Sequence, residues 1–184
     1  MTLSRLGLLI VWLSVCLNST AISAPQKTVD NEQNYALLQA AYLYNIAKFI
    51  SWPEQDKARP LQLCLFGELT NQYQPHFVIA FAERQLAGRQ ISIEAIANAQ
   101  DINRCDVVYQ TTNAHLLQSS IPDTPHILRI NAPGVSLPGS ALFDLKLEAG
   151  RLIIYYNSAL QPSFKLPINT ALLRITQAGQ GSAL

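Results

Sequence analysis

The sequence is poor in charge. Of its 184 residues only 14% are Asp, Glu, Lys or Arg, thirteen basic against twelve acidic, for a formal net charge of +1. No run of five or six like charges occurs, so a polybasic membrane patch is absent. Nor is there a basic stripe of the kind that binds nucleic acid through its phosphates, and no nucleic-acid partner is expected. With eight Gly, ten Pro, 8% aromatic and 49% apolar residues, the composition excludes a collagen-like repeat, a coiled coil and a disordered tail.

Catalytic signatures are missing as well. The chain has no Gly-x-Gly-x-x-Gly after a strand, no Walker loop, no Gly-x-Ser-x-Gly elbow and no His-Glu-x-x-His. Its three histidines, His76, His115 and His126, stand 39 and 11 residues apart, in no metal-ligand spacing. No catalytic residue, metal or cofactor is expected, and the protein is read as a non-enzyme.

What is present begins with an address. Arg5 is followed by an apolar run over residues 6–17 and then by Asn18, Ser19, Thr20, Ala21, Ile22 and Ser23. A basic start, a short apolar stretch and a small-residue exit describe a secretory signal peptide. It is expected over residues 1–23, cut after Ser23 or Ala21. The run is shorter than the about 20 residues that cross a bilayer. An uncleaved anchor is one alternative. A lipoprotein cysteine at Cys16 is another, disfavoured by Val15 where a small residue is wanted. Removing the leader takes away one Arg and no acid, which leaves a net charge of zero. No second long apolar run follows, so the expected location is the periplasm.

Export would leave two cysteines, Cys64 and Cys105. Two and only two cysteines in an oxidising compartment are more often paired than free. Two buried free thiols on neighbouring strands are the alternative. A redox catalyst is disfavoured, because there is no Cys-x-x-Cys and no His or Lys beside either residue.

Residues 24–33 are polar and read as a flexible segment. Over 34–51, Leu37, Leu38, Ala41, Tyr42, Ile46, Phe49 and Ile50 recur at three- and four-residue steps, which predicts a helix with one buried face. Trp52-Pro53 ends it. A buried strand is predicted at 61–67, a second helix from 77 to 85 and a turn at Ala87-Gly88-Arg89. Alternation then predicts a half-exposed strand at 90–96. Further strands are expected at 107–110 and 126–130, with a short helix at 114–119 between them. Residues 131–139 read as loop. Residues 141–147 and 151–157 flank Glu148-Ala149-Gly150 as a hairpin, and a last helix covers 168–177. Strands alternating with helices point to an α/β fold: a single domain over 34–178, its mostly parallel sheet flanked by helices and completed by a C-terminal antiparallel hairpin plus helix. Residues 179–184 read as a frayed tail.

The run Ala40-Ala41-Tyr42-Leu43-Tyr44-Asn45-Ile46-Ala47-Lys48-Phe49-Ile50-Ser51-Trp52-Pro53 resembles the opening helix of the YfiR family of periplasmic proteins. Leu63-Cys64-Leu65-Phe66-Gly67 and Arg104-Cys105-Asp106-Val107-Val108-Tyr109 resemble its two cysteine segments. Glu148-Ala149-Gly150-Arg151-Leu152 leading to Asn157 resembles its hairpin, and Leu172-Leu173-Arg174 its final helix. The resemblance implies an α/β fold, a Cys64–Cys105 bridge and a repressor that holds an inner-membrane diguanylate cyclase inactive through its periplasmic domain, lowering cyclic di-GMP. It also implies an outer-membrane lipoprotein that can sequester the repressor, and it is compatible with a homodimer. The chain lacks the second cysteine pair that some members carry near the hairpin. It also lacks the Ala/Arg-rich run usual before the last helix, at 158–167.

The motif residues implied by the resemblance are Tyr42, Tyr44, Asn45, Lys48, Phe49, Trp52, Pro53, Asn157 and Arg174. From the residues themselves, Leu43, Ile46, Phe49 and Ile50 are expected in the core. Trp52 is expected to plug its end, and Asn45 to hydrogen-bond locally. Tyr44, Asn45 and Lys48 need not share the buried face. Arg129, Arg151 and Arg174 are candidate partner anchors by residue type alone. The rival readings are a small-molecule-binding sensory domain, with its ligand in the crevice at the sheet's carboxyl edge, and an exported hydrolase.

Overall fold

The computed structural model describes residues 26–53, 58–111, 124–135 and 140–178. The expected leader at 1–23 with Cys16, the helix at 114–119 with His115, and the tail at 179–184 lie outside them. Within them the elements run α1 (Gln26–Lys48), β1 (Leu61–Phe66), α2 (Thr70–Phe81), β2 (Gln85–Leu86), β3 (Arg89–Ile96), β4 (Val107–Gln110), β5 (Leu128–Asn131), β6 (Phe143–Glu148), β7 (Arg151–Tyr156), α3 (Thr170–Ile175) and β8 (Gln177–Ala178). The strands form one eight-stranded sheet in the order β2-β3-β1-β4-β5-β6-β7-β8. Strands β3, β1, β4, β5 and β6 are mutually parallel, and β6–β7 is the antiparallel hairpin. The mixed α/β single domain expected from the pattern is the one observed.

Strand alternation divides the interior into two cores. Leu61, Leu63 and Leu65 of β1, with Val107 and Tyr109 of β4, join the larger one. It is packed by Leu43, Ile46, Ala47 and Ile50 of the α1 region and by Phe77 and Phe81 of α2. Cys64, Phe66 and Val108 point the other way, onto Ala99 and Ile102 of a 3-10 helix at Ala99–Arg104. This second core is small.

Element boundaries differ from the periodicity reading at several points. The second helix, expected to reach 85, ends at Phe81, and Gln85 pairs with Gln90 in the β2–β3 hairpin. α1 begins at Gln26 rather than 34; Gln, Lys and Glu are good helix formers that carry no apolar signal. α2 begins at Thr70 rather than 77, with Pro75 inside it. Proline there removes an intrahelical donor, which is why the sequence reads as a break. β5 covers Leu128–Asn131 rather than 126–130, because the turn continues through Ile127, whose N–H donates to Thr124. α3 is confined to Thr170–Ile175, with the Asn169 side chain accepting from the Ala171 N–H as its cap.

Two tight hairpins close on residues with positive φ. Ala87 (φ 51°) and Gly88 (φ 76°) join β2 to β3, and Ala149 (φ 46°) and Gly150 (φ 77°) join β6 to β7. Two-residue hairpin loops favour this left-handed backbone. Glycine meets it without strain, whereas the alanines do not.

Candidate functional site

At the C-terminal end of α1 the motif divides between core and surface. Helix geometry turns Leu43, Ile46 and Ala47 inward, and all three are fully buried. Trp52 is buried behind them, and its indole Nε1–H donates to the Ala47 carbonyl at 2.9 Å. The same carbonyl also accepts from the Ile50 N–H, so Trp52 ties off the last turn of α1 from within the core. Phe49, Tyr42 and Pro53 are half-buried, the first two packing against the main core. The segment after α1 is stitched to the start of α3. Ser51 N–H donates to Pro167, Asn169 N–H donates to Phe49, and Ile50 bridges Ile168.

The remaining motif residues face outward. Asn45 and Lys48 are exposed. The Asn45 side chain makes no hydrogen bond among the described residues, contrary to the local bond expected for it. Tyr44 lies at the boundary. Its ring meets Phe81 of α2 with centroids 6.1 Å apart, and its hydroxyl donates to the Gln85 carbonyl at 3.1 Å. Two cations face the same ring, Lys48 Nζ at 5.7 Å and the Arg84 guanidinium at 4.8 Å from the centroid. Such contacts contribute about 0.5–1 kcal/mol each when exposed. Neither cation has a carboxylate partner among the described residues. The result is a positively charged, aromatic surface of Tyr44, Asn45, Lys48 and Arg84. Arg84 lies forty residues beyond Tyr44, outside the motif, and no sequence spacing announces it.

The other expected site residues serve different ends. Cys64 and Cys105 form a disulfide across β1 and the entry to β4, with Cα atoms 5.9 Å apart. Asn157 is structural: its Oδ1 accepts from the Ala159 N–H and so caps a 3-10 helix at Ser158–Leu160. Arg174 is exposed in the last turn of α3, and Arg151 is exposed beside Glu148 at the hairpin. Arg129 lines a narrow cleft of about 20 Å³ with Phe164 and Leu160, a space for about one water. His76 lies on α2, whereas His126 is exposed in a turn. No group of three or more His, Cys, Asp or Glu among the described residues could hold a metal.

Three buried polar clusters escaped the sequence reading. Arg89, 1% exposed, donates to the carbonyls of Arg59 and Pro60 and to Asp106 Oδ2 at 2.8 Å. Asp106 also receives both terminal nitrogens of Arg59 and the Gln62 N–H, which pins the amino ends of β1, β3 and β4 together. Gln39, fully buried on α1, accepts from the Tyr109 hydroxyl at 2.5 Å and donates to the Tyr73 hydroxyl at 3.4 Å. Burial pushes the Tyr109 phenol well above its ordinary range, so it stays a donor. The signal for Gln39 was available, since it sits one turn from Ala36 and Leu43 on the buried face of α1.

The third cluster lies at the carboxyl edge of the sheet. Asn131 Nδ2 donates to Asp144 Oδ1 at 2.6 Å and to Ser140. Burial raises the Asp144 carboxyl above its ordinary value, with the Asn131 bond opposing the shift. Between β1 and β4, where the strand order reverses, Thr111 closes the edge. Its N–H and its hydroxyl both donate to the Phe66 carbonyl, and its oxygen accepts from the Leu69 N–H.

No helix among the described residues is long and apolar enough to cross a membrane. A family model described as YfiR/HmsC-like matches residues 36–177. No curated protein matches the chain. The match spans well over half of the sequence, and the chain belongs to the YfiR/HmsC-like family, which is periplasmic, regulatory and non-catalytic.

Proposed function

We propose that this YfiR/HmsC-like protein is a periplasmic repressor that binds the periplasmic domain of an inner-membrane diguanylate cyclase and so lowers cyclic di-GMP. The docking surface in this reading is the outward half of the α1 motif: Tyr44, Asn45 and Lys48, joined by Arg84. Two cations without carboxylate partners among the described residues, ordered on a tyrosine ring, carry it. Tyr and Arg are the residue types enriched at the energetic centre of protein interfaces. A partner patch of acidic and apolar character fits them, and a stable contact would bury roughly 800 Å² on each side. The exported form would carry residues from Ala24 onward, and an outer-membrane lipoprotein competing for this surface would release the cyclase.

The test is cellular cyclic di-GMP in a deletion strain, complemented with the wild-type gene or with Lys48→Glu/Arg84→Glu. Deletion should raise the level and the wild-type gene restore it. The variant should be exported and folded but fail to restore it. A level unchanged on deletion overturns the repressor reading. Restoration by the charge-reversed variant moves the contact elsewhere on the protein.

A further inference from the structure

The groove between α1 and α2 presents polar groups that the fold does not use. Glu32, Tyr35 and Ala36 line it from α1, and Gln72, Tyr73 and His76 from α2; its volume is about 140 Å³. Beneath it lies the Gln39–Tyr109 pair. Because Gln39 Nε2 already donates to the Tyr73 oxygen, the Tyr73 O–H is left to donate, and no acceptor takes it among the described residues. The His76 Nδ1 atom is buried without a hydrogen-bond partner. Buried polar atoms are normally paired, so an unpaired nitrogen beside a cavity points to something that enters it. Glu32 supplies a carboxylate at the rim and makes no ion pair among the described residues.

These groups define a complement. Glu32 calls for N–H donors, and the carboxylate favours a positively charged one; His76 Nδ1 adds a further hydrogen-bonding group whose role follows its tautomer. The Tyr73 hydroxyl calls for an oxygen acceptor. No cation lines the groove among the described residues, so a carboxylate or phosphate on the ligand would find no counter-charge. The volume falls below the about 300–1,000 Å³ of pockets for drug-sized ligands, which excludes a nucleotide. We propose that the α1–α2 groove is a binding site for a small amino alcohol, its ammonium held by Glu32 and its hydroxyl by Tyr73, beside His76.

The purified protein is titrated with ethanolamine by calorimetry and by amide NMR, with ethylene glycol and glycolate as neutral and anionic controls of similar size. The site predicts saturable ethanolamine binding in the millimolar range or tighter. Shifts should cluster at Ala36, Gln72, Tyr73 and His76, with no comparable response to either control. Glu32→Gln, an exposed substitution that keeps the side-chain shape, should weaken binding by about 10-fold or more. Tyr73→Phe keeps the ring and should weaken it by about 2- to 10-fold. Equal response to ethanolamine and ethylene glycol overturns the proposal, as does Glu32→Gln binding unchanged or an absence of saturable shifts in the groove. The readout is binding to the isolated protein, so it stands or falls separately from the repressor reading.

Discussion

Reducing the Cys64–Cys105 bridge removes a constraint on the unfolded chain and leaves the folded packing in place. The cysteines are 41 residues apart in sequence. For a loop of that length the chain-entropy relation gives about 4 kcal/mol of stabilisation at 25 °C. At about 2–4 °C per kcal/mol for a chain of this size, the loss is about 8–16 °C in Tm. With a guanidinium slope of roughly 4 kcal/mol/M, it is about 1 M in the unfolding midpoint. Cys64 is fully buried and Cys105 only 5% exposed, so reductant added to native protein acts slowly. The comparison is therefore between oxidised protein and protein unfolded, reduced and refolded under reductant. The reduced form should also show a steeper slope, because an uncrosslinked chain exposes more surface. A Cys64→Ala/Cys105→Ala variant should lose at least as much, having lost two buried sulfurs besides. Coincident midpoints for the two redox forms would refute the reasoning, and so would two free thiols by intact mass in material recovered from an oxidising compartment.

Three other outcomes follow from buried charge and backbone strain. Asp106→Asn leaves the buried Arg89 guanidinium uncompensated and should destabilise by about 3–5 kcal/mol in denaturant titration. Arg59→Ala, on the half-exposed partner, should lose only about 1 kcal/mol; equal losses would contradict the burial argument. Ala149→Asn relieves a left-handed alanine and should stabilise by up to about 1 kcal/mol, read as a Tm rise of a few degrees. A fall would show that the hairpin does not hold that backbone. The Asp144 carboxyl has its pKa raised by burial, so its protonated form is the one the fold favours. Its contribution is therefore full below the unfolded value near 3.8 and lost as pH rises through the folded value. Stability of Asp144→Asn relative to wild type should then improve from pH 3 to 7, and a difference independent of pH would count against the shift.

The fold was legible where burial writes itself into residue type. Leu61-Gln62-Leu63-Cys64-Leu65-Phe66 could be nothing but a strand buried on both faces, and Glu148-Ala149-Gly150-Arg151 announced its hairpin. Legibility failed where polar residues form helix, as at Gln26–Asn34, and where Pro75 sits inside α2. A helix of good polar formers carries no periodic apolar signal. A proline inside a helix reads as a stop, although packing of Phe77 and Phe81 outweighs the lost bond. The Arg89–Asp106–Arg59 cluster was illegible for a different reason. Its partners come from three separate stretches, and only the parallel pairing of β1 with β3 and β4 brings them together.

The α1 motif shows the limit most clearly, because one short run of residues serves two ends that residue type cannot separate. Tyr42, Tyr44, Phe49 and Trp52 are all aromatic, yet Trp52 ties off a helix from inside the core while Tyr44 presents its face to two cations. The helical period puts Ile46 and Ile50 inward, where both are buried, but it also puts Leu38 there, which is 44% exposed. Which outward residues form a surface depends on α2. Arg84 and the Gln85 carbonyl reach Tyr44 only because α2 packs on α1 and ends beside it. The same packing opens the groove about two and a half to three turns back along α1, where Glu32 and Tyr35 line it opposite Tyr73 and His76. Both candidate surfaces are thus products of the α1–α2 contact, which a single chain of letters contains only as two unrelated helices. Substitutions inside that contact, such as Phe81→Ala, should disturb both surfaces together, whereas Lys48→Glu and Glu32→Gln should each disturb one. That separation in paired binding assays is the pattern by which the shared helical frame can be told from two independent sites.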